Sequence, residues 1–151
     1  MRRVEQGGAV LLFGRNLNIR VAVLKAGFVL VTAHGDVRDT EDASVEAALL
    51  EELDGELERA GSLTVFADVR ESSRMPSASR EAIARWARRH QSRLSPAQVL
   101  VGSKLLEMAT SIIAMLVGGS LLKMHSDPRA FLELVKKVAP KLKSLPSPPE
   151  P

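Results

Sequence analysis

The sequence predicts an α/β fold built on a mixed sheet. Three observations carry that prediction. Two β-branched runs flank a glycine turn near the N-terminus; short apolar runs then alternate with segments of helical period; and 151 residues suit one core. Single helices between successive strands impose right-handed parallel crossovers, whereas the opening hairpin is antiparallel, so the sheet contains both kinds of pair.

The elements follow in order. Ile19 to Leu24 (IRVAVL) and Phe28 to Ala33 (FVLVTA) flank Lys25-Ala26-Gly27, a hairpin with glycine in its turn. Ala9 to Gly14 can add an earlier strand at an edge, so residues 1–18 read as an N-terminal extension to a domain spanning residues 19–139. The period changes after Gly35-Asp36-Val37. Thr40 to Ala60 reads as a helix: Thr40 or Asp42 can cap it, acidic residues fill its first turn, and Leu49, Leu50, Leu53 and Leu57 recur at helical spacing up to Gly61. Leu63 to Val69 (LTVFADV) is nearly all apolar, as a strand covered on both faces must be.

After a polar loop, Arg70 to Pro76, a second helix starts near Ser77. Ile83, Trp86, Ala87, His90 and Leu94 form its apolar face, with Arg85, Arg88, Arg89 and Arg93 largely off it. Gln98 to Gly102 is the next strand, and Ser103 can cap a third helix over Lys104 to Val117. Leu121 to His125 is the last strand, and Ser126 or Asp127 caps a final helix through Val138. The order is an opening hairpin, then α-β-α-β-α-β-α, with helices packed on the sheet. Residues 140–151 end in SLPSPPEP, whose prolines hold neither helix nor sheet, and are expected to be a disordered tail.

Composition narrows the function classes. At 45% hydrophobic and 26% charged residues the chain is globular rather than disordered. The absence of cysteine excludes disulfides, thiolate metal sites and cysteine nucleophiles. Tyrosine is absent and aromatics are 3%, which disfavours stacking on single-stranded nucleic acid. The net charge of +3 demands no polyanionic partner. Met108 to Leu122 is shorter than the ~20 residues that span a bilayer, and Thr110, Ser111 and a glycine pair interrupt it. No leader pattern opens the chain, so a cytoplasmic protein without a transmembrane segment is expected.

His34, His90 and His125 lie in separate segments without metal-ligand spacing. Asp68, Ser77 and His90 supply the residue types of a triad, but no G-x-S-x-G elbow surrounds the serine and no G-x-x-x-x-G-K loop occurs. Neither catalysis nor a metal or cofactor is expected.

Several segments, in order, resemble the STAS domain, the family of sulphate transporters and anti-sigma factor antagonists. Gly35-Asp36-Val37 before an acidic-capped leucine helix resembles its "GELD" turn, and Phe66 to Val69 with a downstream serine its "DLSG…DSSG" region. Val99 to Ala109 (VLVGSKLLEMA) and Leu122 to Leu134 (LKMHSDPRAFLEL) are similar to its closing strands and helices. The resemblance covers roughly residues 19 to 138. It places Ser77, within Met75-Pro76-Ser77-Ala78-Ser79, where regulated members carry a phosphorylated serine. Proline replaces the family's aspartate before that serine, and no glycine follows. The chain also resembles the looser STAS-like group, similar in fold to lipid-binding CRAL-TRIO domains.

The resemblance implies a non-enzymatic module that binds another protein, an anti-sigma factor, a related kinase or a scaffold. The expected contact surface is Arg70, Arg74, Met75, Ser77, Ser79, Arg80, Ser103 and Lys104. Phosphate on Ser77 would add nearly two negative charges at a helix N-terminus, within reach of Arg74 and Arg80; otherwise Ser77 is simply the helix cap. The arginine-rich second helix reads as a solvated face, and nucleic acid is disfavoured. The third helix is apolar on nearly all sides. Met108, Ile112 and Met115 there are expected to be core, or else to form a self-association patch or a pocket for a small lipid-type ligand, which is the alternative role of carrier or sensor.

Overall fold

A computed structural model describes residues 1–150. Gly7 and Gly8 take φ of 60° and 78°, the left-handed pair that a two-residue hairpin turn needs, and join β1 (Arg2–Gln6) to β2 (Ala9–Phe13). β3 (Leu17–Lys25) and β4 (Phe28–Gly35) continue the antiparallel meander. α1 (Thr40–Ala60), β5 (Thr64–Glu71), α2 (Ser77–Arg89), β6 (Ala97–Leu100), α3 (Lys104–Val117), β7 (Leu122–His125) and α4 (Pro128–Val138) follow. The seven strands lie in chain order, antiparallel from β1 to β4 and parallel from β4 to β7. The mixed α/β sheet is therefore as the sequence predicts, with the optional strand at Ala9 present as β2 and one further strand, β1, before it.

Side-chain alternation splits the sheet into two faces. Leu30, Phe66 and Leu100 point to α4, where Phe131 and Val135 bury completely against them. The Phe66 and Phe131 rings meet edge to face at 6.2 Å. The opposite face packs Val29, Val31, Leu12 and Ile19 under Val45, Leu53 and Leu57 of α1. α1 lies over β2 and β3, whereas α2 approaches α3 and α1 more closely than any strand.

Four expectations need correction. Residues 1–18 are part of the sheet rather than an extension, and the edge strand is β1, not Ala9 to Gly14. β1 (RRVEQ) has no apolar run; contacts far along the chain hold it, with Arg3 Nε donating to Glu52 at 2.8 Å and Arg2 lying over the Phe13 ring. The cap of α1 is Asp39, which accepts from the Asp42 amide at 2.9 Å; Asp42 points back to the meander. Pro76, not Ser77, occupies the N-cap of α2. The residues after α4 form no regular element, but Leu142 and Leu145 pack on the α4 core, because two leucines among the prolines give the segment something to bury. Pro151 of that stretch lies outside the described residues.

Asp42 sets the geometry of the meander. Fully buried, it accepts from the Asn16 amide and side chain (both 2.8 Å), the Leu17 amide (3.2 Å) and the Arg38 amide (3.0 Å). Burial alone would raise its pKa; the Asn16 and Arg38 donors outweigh that and hold it down at about 2. Gly35, at φ 89°, passes so close to the Asn16 carbonyl that no side chain fits there.

Candidate functional site

The parallel strands β5 and β6 end beside the loop that leads into α2, and one buried carboxylate holds that loop. Asp36, 4% exposed at the end of β4, accepts from the Ser73 hydroxyl (2.6 Å), the Ser73 amide (2.8 Å) and the Arg74 amide (3.2 Å). Burial opposes its charge, and the Ser73 and Arg74 donors outweigh burial, so its pKa lies below the ordinary value. Ser72 donates to the Gly35 carbonyl at 2.7 Å. The loop backbone is thereby fixed while the Arg74 side chain stays exposed.

The expected contact residues separate on this frame. Ser77 is exposed at the first position of α2, whose N-cap provides no side-chain hydrogen bond, so it is a displayed serine and not a cap. Arg74 and Lys104 are exposed nearby. Met75 is half-buried against the cluster of Val99, Val101 and Leu106, and Ser103 caps α3 by accepting from the Leu106 amide at 3.2 Å. Arg88 Nη1, donating to the Leu116 carbonyl at 3.1 Å, ties the C-terminal ends of α2 and α3 together, and Met75 joins the cluster that holds Leu106 at the other end, so both N-termini lie on one rim.

Three residues leave the expected set. Ser79 is 3% exposed and faces inward beside Glu46. Arg80 is tied to the Met75 carbonyl at 2.8 Å. Arg70 shares the α4 face with Asp68, which it grips through two hydrogen bonds of 2.9 and 2.8 Å. Ser79 and Arg70 face away from the rim, and the Arg80 guanidinium is engaged with the loop backbone there.

α3 carries the largest departure from expectation. Leu106, Ala109, Thr110, Ile113 and Val117 are buried toward the sheet. Met108, Ile112 and Met115 are on the other side, exposed by 63%, 39% and 81%, so they are neither core nor the lining of a pocket beneath the helix. Leu105 and Leu116, which sequence reasoning missed, extend the row. Positions 105, 108, 112, 115 and 116 follow helical spacing and form one continuous apolar line. Beside it α2 exposes Arg85, Arg88 and Arg89, and among the described residues no carboxylate pairs with them.

A cavity of about 220 Å³ lies between the sheet and the three helices on this face, bordered by Leu49, Leu50 and Leu53 of α1 as well as by α2 and α3. Its floor is Val65, Ala67 and Val69 of the central strand β5, which remain only half-buried although helices lie above them. Its roof includes Trp86, Ile83 and Ile113. Trp86 Nε1 donates to Asp54 at 2.7 Å, and the His90 ring is 3.2 Å from the same carboxylate.

Asp68, Ser77 and His90 do not assemble. Asp68 is on the α4 face with Arg70, and Ser77 and His90 stand at opposite ends of α2, roughly 20 Å apart at about 1.5 Å per residue. Among the described residues no group of three or more His, Asp or Glu could hold a metal ion, and no helix is long and apolar enough to cross a membrane.

No family model and no curated protein sequence matches the chain. Solved structures do. One is an uncharacterised protein of the DUF3478 family with a SpoIIAA-like fold from Shewanella loihica PV-4: TM-score 0.55 and 13% identity over 87% of this chain and 98% of that one. Another is the anti-sigma factor antagonist SpoIIAA in its unphosphorylated form: TM-score 0.52 and 10% identity over 83% of this chain and 99% of that one. The chain has a SpoIIAA-like fold, the fold that the resemblance of its local motifs implies.

Proposed function

We propose that the chain is a cytoplasmic, non-enzymatic regulatory module of the anti-sigma factor antagonist type, which works by binding another protein. The observation that carries this reading is the apolar line Leu105, Met108, Ile112, Met115 and Leu116 on α3, exposed on a domain that buries its other large apolar side chains with few exceptions. Contiguous exposed apolar surface of this kind marks an interaction site. The unpaired arginines 85, 88 and 89 beside it favour a partner segment with an apolar ridge flanked by carboxylates. The rim formed by Arg74, Ser77 and Lys104 continues the surface at the helix N-termini.

Ser77 is the modification site within this reading. A phosphate there would sit at an uncapped helix start beside Arg74, adding charge on the rim without a buried group having to move. It would repel the acidic flank of the partner. Ser77→Glu is expected to weaken partner binding at least tenfold and Ser77→Ala to preserve it; equal binding by both would contradict the switch.

The test of the docking surface is site-directed photocrosslinking in the producing cell, with a photoreactive residue at position 115, at 112, or at 141 on the far side. The reading expects the same heterologous protein to be trapped from 112 and 115 but not from 141, and to be lost when Leu105 is changed to glutamate. Crosslinks that are equal at all three positions, or only to a second copy of the chain, would overturn it.

A further inference from the structure

We propose that the free edge of β1 is a dimerisation site that takes β1 of a second copy of the chain, paired antiparallel about Val4, so that one continuous sheet runs through both copies. The site is separate from the exposed line on α3 and does not depend on it. β1 and β7 are opposite edges of the sheet and α3 lies toward β7, so the docking surface stays open in both copies.

The edge is available for pairing. Among the described residues no strand lies beyond β1. Edge strands are commonly closed by a proline or a bulge. Arg2–Gln6 contains no proline, and its register with β2 runs residue for residue without a shift. The two-residue turn at Gly7-Gly8 makes Gln6 and Ala9 a hydrogen-bonded pair, and such pairs alternate back along the strand. Arg2, Val4 and Gln6 therefore bond to β2, while Arg3 and Glu5 turn their N–H and C=O groups outward.

Charge then selects both the partner and the register. A strand pairing with its own copy must set outward residues against outward residues, so the open registers differ by shifts of two residues. One of them places Arg3 opposite Arg3 and another places Glu5 opposite Glu5, and like charges directly opposite are destabilising. The register between these two, centred on Val4, sets Arg3 against Glu5 twice, Arg2 against Gln6 twice and Val4 against itself. RRVEQ is self-complementary in that register. Arg3 and Glu5 already share the α1 face, where Arg3 Nε donates to Glu52 at 2.8 Å and Nη1 to Glu5 at 3.0 Å. Their side chains are 43% and 71% exposed, so both can reach a second strand without a buried group moving. The pair is related by a two-fold axis and closes on itself, leaving no edge on that side for a third copy.

The chain has no cysteine, so one introduced thiol reports the geometry. Across the two-fold axis the Val4 β-carbons would stand about 4.5 Å apart as a non-hydrogen-bonded pair, close to the span of a disulfide. The Gln6 positions would be roughly 14 Å apart at about 3.4 Å per residue. Under mild oxidation Val4→Cys is expected to form a disulfide-linked dimer at least tenfold faster than Gln6→Cys, and a mixture of Arg2→Cys with Gln6→Cys to link as the mixed pair. In sedimentation equilibrium the unmodified chain is expected to dimerise with a Kd of about 10 µM, in keeping with a short interface. Glu5→Arg and Arg3→Glu are each expected to weaken self-association at least tenfold, and the two variants mixed together to recover it, because their charges then match across the edge. If either variant fails to fold, the other and the cysteine series still decide. A chain that stays monomeric at about 500 µM, Glu5→Arg dimerising at wild-type strength, folded charge variants that do not associate on mixing, or Val4→Cys linking no faster than Gln6→Cys would overturn the proposal.

Discussion

The two ends of the helical layer are built on opposite terms. Over β2 and β3, α1 buries Val45 and Leu57 completely, and the polar groups beneath it, Asp42 above all, are saturated with donors. Over β5 and β6, α2 and α3 roof most of a cavity that reaches the edge of α1, and α3 exposes five large apolar side chains. Both belong to one layer on one sheet. The contrast teaches that the α1 side pins the fold, while the α2–α3 side spends stability on surfaces that suit binding.

The largest expected effect is on the pinned side. Asp42→Ala leaves the Asn16, Leu17 and Arg38 amides without their acceptor, and denaturant unfolding is expected to show a loss of about 4 kcal/mol. The same carboxylate predicts an acid limb. Its folded pKa, about 2, is below the ordinary 3.8, so its contribution is complete above about pH 4 and is lost as pH falls toward 2. In Asp42→Asn that limb is expected to flatten in a stability-versus-pH series.

Next are two small-to-large changes with opposite signs. A methyl group at Gly14 would come within 2.7 Å of Asp42 Oδ1 and 2.9 Å of Val45 Cγ2, so Gly14→Ala is expected to destabilise by about 2 kcal/mol. Ala87→Leu, into the cavity, is expected to stabilise by about 1 kcal/mol. Calorimetric midpoints check both, and a loss at Ala87 as large as at Gly14 would erase the contrast. Smallest is Met115→Glu, which at an exposed position is expected to shift stability by less than about 0.5 kcal/mol.

The sequence made the elements from residue 19 to residue 138 legible, because period and turn residues are local properties. β1 was not legible: RRVEQ becomes a strand through Glu52, Phe13 and the β2 backbone, all outside it. The site was half legible. An α3 apolar all round announced that one face would lack a protein cover, but two apolar faces look alike until one meets the sheet. Ser77 and Ser79 look interchangeable in sequence, yet two residues turn a helix by roughly 200°, which sends one outward and the other under the helix. A pocket beneath α3 was one reading of its apolar surface, but through Met108, Ile112 and Met115; the cavity's actual lining and volume depend on how far α2 stands from β5, which no residue spacing encodes.

The most direct test combines stability and binding in one protein, the double variant Ile112→Glu/Met115→Glu. Its melting temperature is predicted to stay within about 3 °C of the wild type while the heterologous crosslink from position 108 disappears. A melting temperature lower by 10 °C or more with the crosslink retained would show that this face of α3 is core and not the docking surface.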